Sequence, residues 1–184
     1  MPEAKHITSS PMYASSGDFR RIFHEETDSL YRLSFLLTAD REKAEQCFVS
    51  GFEDSVKGSP VFKEWARSWA RRVIIQNAVR VINPRPMEEH APLNFNSDGK
   101  TLAGKQVEIA AVLEAVLGLG PFERFVYVMS VLERYSDQDC SVLLGCARGD
   151  VIAGRIRALQ KIGSAIDFHL KRQVDVALSE AGIA

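Results

Sequence analysis

Long apolar runs are missing from this sequence of 184 residues. None approaches the roughly 20 residues that cross a bilayer as a helix. The opening stretch, MPEAKHITSSPMYASSG, holds no apolar core of the kind a secretion signal needs. The expected location is therefore the cytoplasm, with no membrane partner. Cysteine is scarce as well. Cys47, Cys140 and Cys146 are odd in number and lack metal-ligand spacing, which suits a reduced chain with small packed thiols. The histidines His6, His24, His90 and His169 are isolated, with no cysteine or carboxylate pair at ligand spacing. A Gly-rich phosphate loop and a nucleophile elbow are both absent. Together these absences predict no metal, no cofactor and no enzymatic chemistry. An excess of charge is lacking too: 23 Lys and Arg face 24 Asp and Glu, for a net charge of −1. Any nucleic-acid partner must then be met by a local patch.

Strand-like alternation is also missing, whereas helical spacing recurs along most of the chain. Residues 1–16 are rich in Ser and Pro and read as a loose tail. Phe19, Ile22 and Phe23 begin an apolar stripe that Leu30, Leu33 and Leu37 continue. Thr38, Ala39 and Asp40 read as a turn and N-cap before a second helix carrying Ala44, Cys47, Phe48 and Phe52. A third helix runs from about Val61 to Ile82, where Asn83-Pro84-Arg85-Pro86 stops it. Residues 84–106, with three prolines and few apolar anchors, read as an interdomain linker. The helical pattern resumes at Val107, with four or five helices to follow. The fold class is all-α: two small helical domains, residues 17–83 and 107–184, joined by a linker.

Two constellations suggest function. From Tyr135 to Ile162, Ser136 is placed to cap a short helix, Gly145 to turn the chain at positive φ, and a second helix to start near Gly149. This is the layout of a helix-turn-helix, although an ordinary helical hairpin uses the same turn chemistry. The third helix carries Lys63, Arg67, Arg71, Arg72 and Arg80 against one acidic residue, Glu64, with Gln76 and Asn77 between them. Such a face suits phosphate and base-edge contacts, and equally a plain solvated surface. Trp65 and Trp69, one turn apart, fit base stacking, with core packing the simpler expectation for both.

Residues 18–56, DFRRIFHEETDSLYRLSFLLTADREKAEQCFVSGFEDSV, resemble domain 2 of extracytoplasmic-function (ECF) sigma factors. Asp40, Glu42, Ala44, Glu45, Phe48 and Phe52 fall in step with that family's polymerase-binding helix, and Gln46 to within one position. FKEWARSWARRVIIQNAVRVI is similar to the following segment, which melts and reads the −10 element. LGLGPFERFVYVMSVLERYSDQDCSVLLGC resembles domain 4 through Arg124, Glu133, Ser136, Leu144 and Gly145. Val151, Arg157 and Ala158 match its recognition helix.

The resemblance spans about 140 residues in family order. It implies binding to core RNA polymerase through Asp40, Glu42, Glu45, Gln46, Phe48 and Phe52. It implies contact with promoter DNA through Arg67, Arg71, Arg72, Gln76, Asn77 and Arg80. Arg148, Arg155 and Arg157 would serve the −35 duplex if the recognition helix turns them outward.

Departures gather in that helix. Ala147 and Asp150 stand where the family carries Ser or Thr, Ile152 where it carries Lys or Arg, and Gly154 where it carries Arg. Residues 107–162 hold six basic and seven acidic residues, so this domain offers DNA no net attraction. Ile152, Ile156 and Leu159 share one helix face and should be covered. The cover would be a further terminal helix bearing Ile166, Leu170, Val174 and Leu178, or a partner chain. A rotation of the helix into the domain's own core is the plain alternative. A sigma-derived module that holds a protein partner, such as an anti-sigma protein or a second copy of itself, is the competing functional expectation.

Overall fold

The structure is a computed structural model that describes residues 12–58, 60–86 and 105–180, the side chains at 105–109, 170 and 172–180 excepted. The architecture is all-α: α1 (Ser16–Glu25), α2 (Thr27–Thr38), α3 (Arg41–Lys57), α4 (Ala66–Ile82), α5 (Lys105–Leu117), α6 (Pro121–Tyr127), α7 (Asp137–Leu144) and α8 (Arg148–Glu180). No strand occurs among the described residues, only an isolated antiparallel bridge between Tyr13 and Phe62. The contacts divide the chain into two compact units. Among the described residues, one comprises those up to Phe35 together with Asp40–Ala78; the other comprises Leu36–Ala39 and those from Val79 onward. Most of the expected linker, 87–104, lies outside the described residues, as do residues 1–11 of the expected tail.

The expected tail ends earlier than its composition suggests. Ser15 is the N-cap of α1, accepting from the Asp18 amide while the Asp18 carboxylate accepts from the Ser15 N–H, a reciprocal capping box. Just before it, Ala14 N–H donates to Val61 O at 2.7 Å and Lys63 N–H to Met12 O at 3.0 Å. The single first helix expected from the stripe is two. Thr27 Oγ1 donates back to Phe23 O and His24 O, and Glu26 leaves helical geometry at φ −108°, ψ 19°. The stripe survives the break, since Phe19, Ile22, Phe23, Leu30, Leu33 and Leu37 are all buried. The third helix of the sequence reading begins as a 3₁₀ turn, Lys63–Trp65, and becomes α-helical only at Ala66.

In the first unit α1 packs on α3, and Phe23 meets the edges of Phe48 and Phe52 at centroid distances of 5.4 and 5.3 Å. Ile74 of α4 lies so close to Gly51 that a Cβ there would stand 2.6 Å from Ile74 Cδ1. Glycine is what admits that approach. In the second unit α5, α6 and α7 all pack on α8, around Phe122, Phe125, Val126, Val151, Ala158 and Ile162. Arg124 is buried here and donates to Leu37 O (3.1 Å), Thr38 O (3.3 Å) and Leu119 O (2.9 Å), satisfying carbonyls at helix ends.

Residues 163–180 do not form a separate helix. They prolong α8, which runs unbroken for 33 residues. Gly154, at a position where the resemblance implies arginine, is buried against Phe122, and a Cβ there would lie 2.9 Å from Phe122 Cε1. Gly154→Ala should therefore destabilise the chain by about 1–3 kcal/mol through overpacking. Thermal denaturation followed by circular dichroism checks this, and an unchanged melting temperature would show that the ring yields freely.

Candidate functional site

On α3 the residues matched to polymerase binding separate by role. Asp40 is the N-cap, its carboxylate accepting from the Lys43 amide at 3.0 Å. Phe48 and Phe52 turn inward onto Phe23, with Tyr31 on the far edge of Phe48 at 6.3 Å. Glu42, Glu45 and Gln46 are exposed. Val49 stands with them, 49% exposed and one turn beyond Glu45 and Gln46. Glu53 extends the same outward strip and pairs with Lys57 at 2.9 Å. The sequence reading missed Val49, although its i+4 spacing from Glu45 was the available signal.

The basic face of α4 is less open than its sequence suggests. Arg67 donates to Glu26 and to Glu25, the latter at 2.6 Å. Glu26 first, and then Glu25, raise the guanidinium above its usual pKa. Arg71 donates to Ser29 Oγ at 2.9 Å and lies 4.0 Å from Glu26. Arg72 and Gln76 are half-buried and Arg80 is exposed. Asn77 is a correction: it is buried, donating to Asp54 Oδ2 and to Val73 O at 3.0 Å each, so it cannot reach a base edge.

Trp65 is a second correction. It is 57% exposed rather than packed, while Trp69 is half-buried with its indole N–H enclosed and unbonded. Trp65 forms one end of an aromatic ladder. Its ring meets Phe62 edge-on at 5.1 Å, and Phe62 stacks on Tyr13 at 4.9 Å. The bridge between Tyr13 and Phe62 holds the ladder together, and no pattern in the sequence pointed to Tyr13 as its third member. A shallow pocket of about 270 Å³ beside it is lined by Asp18, Arg21, Ile22, Lys63, Glu64, Ala66 and Arg67. Its charges are of both signs, with Lys63 3.7 Å from Asp18, so it selects no particular ion.

In the second unit Ser136 caps α7 through the Asp139 amide, and Gly145 adopts φ 63° before α8 begins at Arg148. Glycine suits that left-handed turn because a Cβ would strain it. Asp150, one of the departures, accepts from the Ala147 N–H at 3.0 Å and so caps α8. Arg148 is exposed. Arg155 is paired with Asp137. Arg157 and Lys161 converge on the buried carboxylate of Glu123 at 3.1 and 3.0 Å. Two of the three arginines assigned to the −35 duplex are thus committed to partners within the unit.

Ile152, Ile156 and Leu159 are 37%, 51% and 48% exposed, so the helix has not rotated to bury them. The terminal segment cannot fold over them, because it is the same helix. Leu170, Val174 and Leu178, named as cover, have side chains outside those described.

No group of three or more His, Cys, Asp or Glu side chains suited to a metal occurs among the described residues. No helix among them is long and apolar enough to cross a membrane. Cys47 and Cys140 are fully buried, and burial pushes each thiol up to about 11. Both should resist alkylation at pH 8, where such a pKa leaves roughly one thiol in a thousand ionised. The half-buried Cys146 should react first. Mass spectrometry of iodoacetamide-treated protein, folded and then denatured, checks the order; rapid labelling of Cys47 in the folded chain would contradict it. No family model matches this chain, and no curated protein does.

Proposed function

We propose that this chain is a bacterial transcription initiation factor of the ECF sigma type. It has no enzymatic activity, acts in the cytoplasm, and binds core RNA polymerase and promoter DNA. The observation that carries this reading is the division on α3. Phe48 and Phe52 hold the helix to its own unit, leaving Glu42, Glu45, Gln46 and Val49 as an outward strip of carboxylates, an amide and one aliphatic. Such a strip fits a basic, helical partner surface and has no evident structural duty.

The same unit offers an opened DNA strand what it requires. Trp65 presents a ring for an unpaired base, and Arg72 supplies positive charge on α4. Arg67 and Arg71 join only by exchanging carboxylate partners for phosphate. A second reading is favoured by α8, whose outward face is aliphatic. Under it the factor keeps polymerase binding and has lost recognition of the −35 duplex, its last helix serving a protein partner instead.

Reversal of charge by Glu42→Lys with Glu45→Lys should lower co-purification with core polymerase by about tenfold or more while leaving helicity intact. Equal recovery of parent and variant would remove the docking assignment. Trp65→Ala in the holoenzyme should reduce promoter opening by roughly tenfold, the scale of one lost base stack. Permanganate footprinting of the gene's own upstream region measures this, and undiminished opening would return the ladder to a packing role.

A further inference from the structure

We propose that α8 is a self-association seam through which two copies of this chain pair. Ile152, Ile156, Leu159, Gly163 and Ile166 follow one another at intervals of four, three, four and three residues. That alternation keeps all five on one side of the helix, the spacing with which one helix meets another along a seam. The first three side chains are between a third and a half exposed, Gly163 is exposed and Ile166 is half-buried. No seam position carries a charge.

The opposite face of α8 is already taken by Gly154, Ala158 and Ile162, packed within the unit. The other helices of the unit are short: α5, α6 and α7 have 13, 7 and 8 residues, against 33 for α8. A helix of about 50 Å with an aliphatic seam is matched in length and period by its own copy.

Two features make the seam self-complementary. The first is steric. A Cβ built at Gly163 meets nothing within 4 Å, so an open notch stands one turn beyond the bulk of Leu159. An antiparallel pairing centred between these residues sets Leu159 of each copy into the other's notch and Ile156 opposite Ile166. The second is electrostatic. Like charges normally oppose an isologous contact. Here Arg155, next to Ile156, is held by Asp137, while Arg157 and Lys161 are held by Glu123. Arg155 is thereby neutralised, and one of the two charges of Arg157 and Lys161 is cancelled, before a second copy arrives. Duplex DNA is a poorer occupant, because none of the five seam residues has a side-chain donor for a base edge; the exposed Arg148, one turn before Ile152, is the donor nearest to them on that face.

The inference rests on the reading that α8 has left the DNA groove; polymerase co-purification tests the remainder of the proposed function independently. The seam is short beside a standard interface, so the dimer should be weak and dependent on concentration, forming at roughly 10–100 µM. Sedimentation velocity of the full chain should show the 20.5 kDa monomer giving way to a species of twice that mass across this range. Ile156→Lys should abolish the shift without lowering the melting temperature or polymerase recovery, since the side chain is half-exposed. Gly163→Leu should fill the notch and weaken the antiparallel dimer at least tenfold, although it favours the helix itself. A chain that stays monomeric throughout, or dimerises equally well with Lys at position 156, overturns the proposal. So does salt-sensitive duplex binding that depends on Arg155 and Arg157.

Discussion

The buried carboxylate of Glu123 and the two cations that reach it set the orientation of α8, and the surface of the second unit follows from that orientation. A buried carboxylate without partners would be costly. Arg157 and Lys161 lie one turn apart and both arrive within about 3 Å of it, which ties that side of α8 to α6. Gly154 acts in the same sense, letting α8 approach Phe122 more closely than any side chain would allow. With those positions turned inward, the 100° step of the helix leaves Ile152, Ile156 and Leu159 on the outside. Their exposure is thus a consequence of polar and steric commitments made elsewhere on the helix.

A comparable constraint acts in the first unit at the junction of α1 and α2. The break at Glu26 redirects the chain and places Glu25, Glu26 and Ser29 beside α4, where Arg67 and Arg71 find them. A row of arginines that reads as a free basic stripe in the sequence is, in the fold, half of a mixed-charge surface. Exposed pairs of this kind add little stability. Their effect is to hold the guanidinium groups in place and lower the net field that a polyanion would meet.

Much of this fold was legible in the sequence, because its signals are local. Helix type followed from apolar spacing, helix ends from Asp40, Ser136, Gly145 and Pro84, and the packing of Cys47 from its place on an amphipathic helix. The break at Glu26 was not legible, since the apolar stripe runs through it undisturbed while a threonine hydroxyl interrupts the backbone. Nor was the length of α8, whose terminal residues read as a further helix but continue it without a break. The site residues were legible only in kind. Sequence identified the cations, but the carboxylates that claim them are 18 to 42 residues away, and no pattern along the chain predicts such pairs. Asn77 failed for the same reason, its amide being claimed by Asp54 on another helix.

The pairing of arginines in both units bears on how the proposed factor would act. Where Arg67 must release two carboxylates to receive a phosphate, one anion replaces another and the gain in affinity is small. Contacts of that kind position a strand more than they capture it. Capture would then fall to the polymerase, and the factor's own contribution would come from groups with no internal competitor. On α3 these are Glu42, Glu45 and Val49; on the ladder, the face of Trp65. The distinction is physical and independent of the resemblance: side chains already satisfied within the fold serve as structure, and those left unsatisfied at the surface are the ones available to a partner.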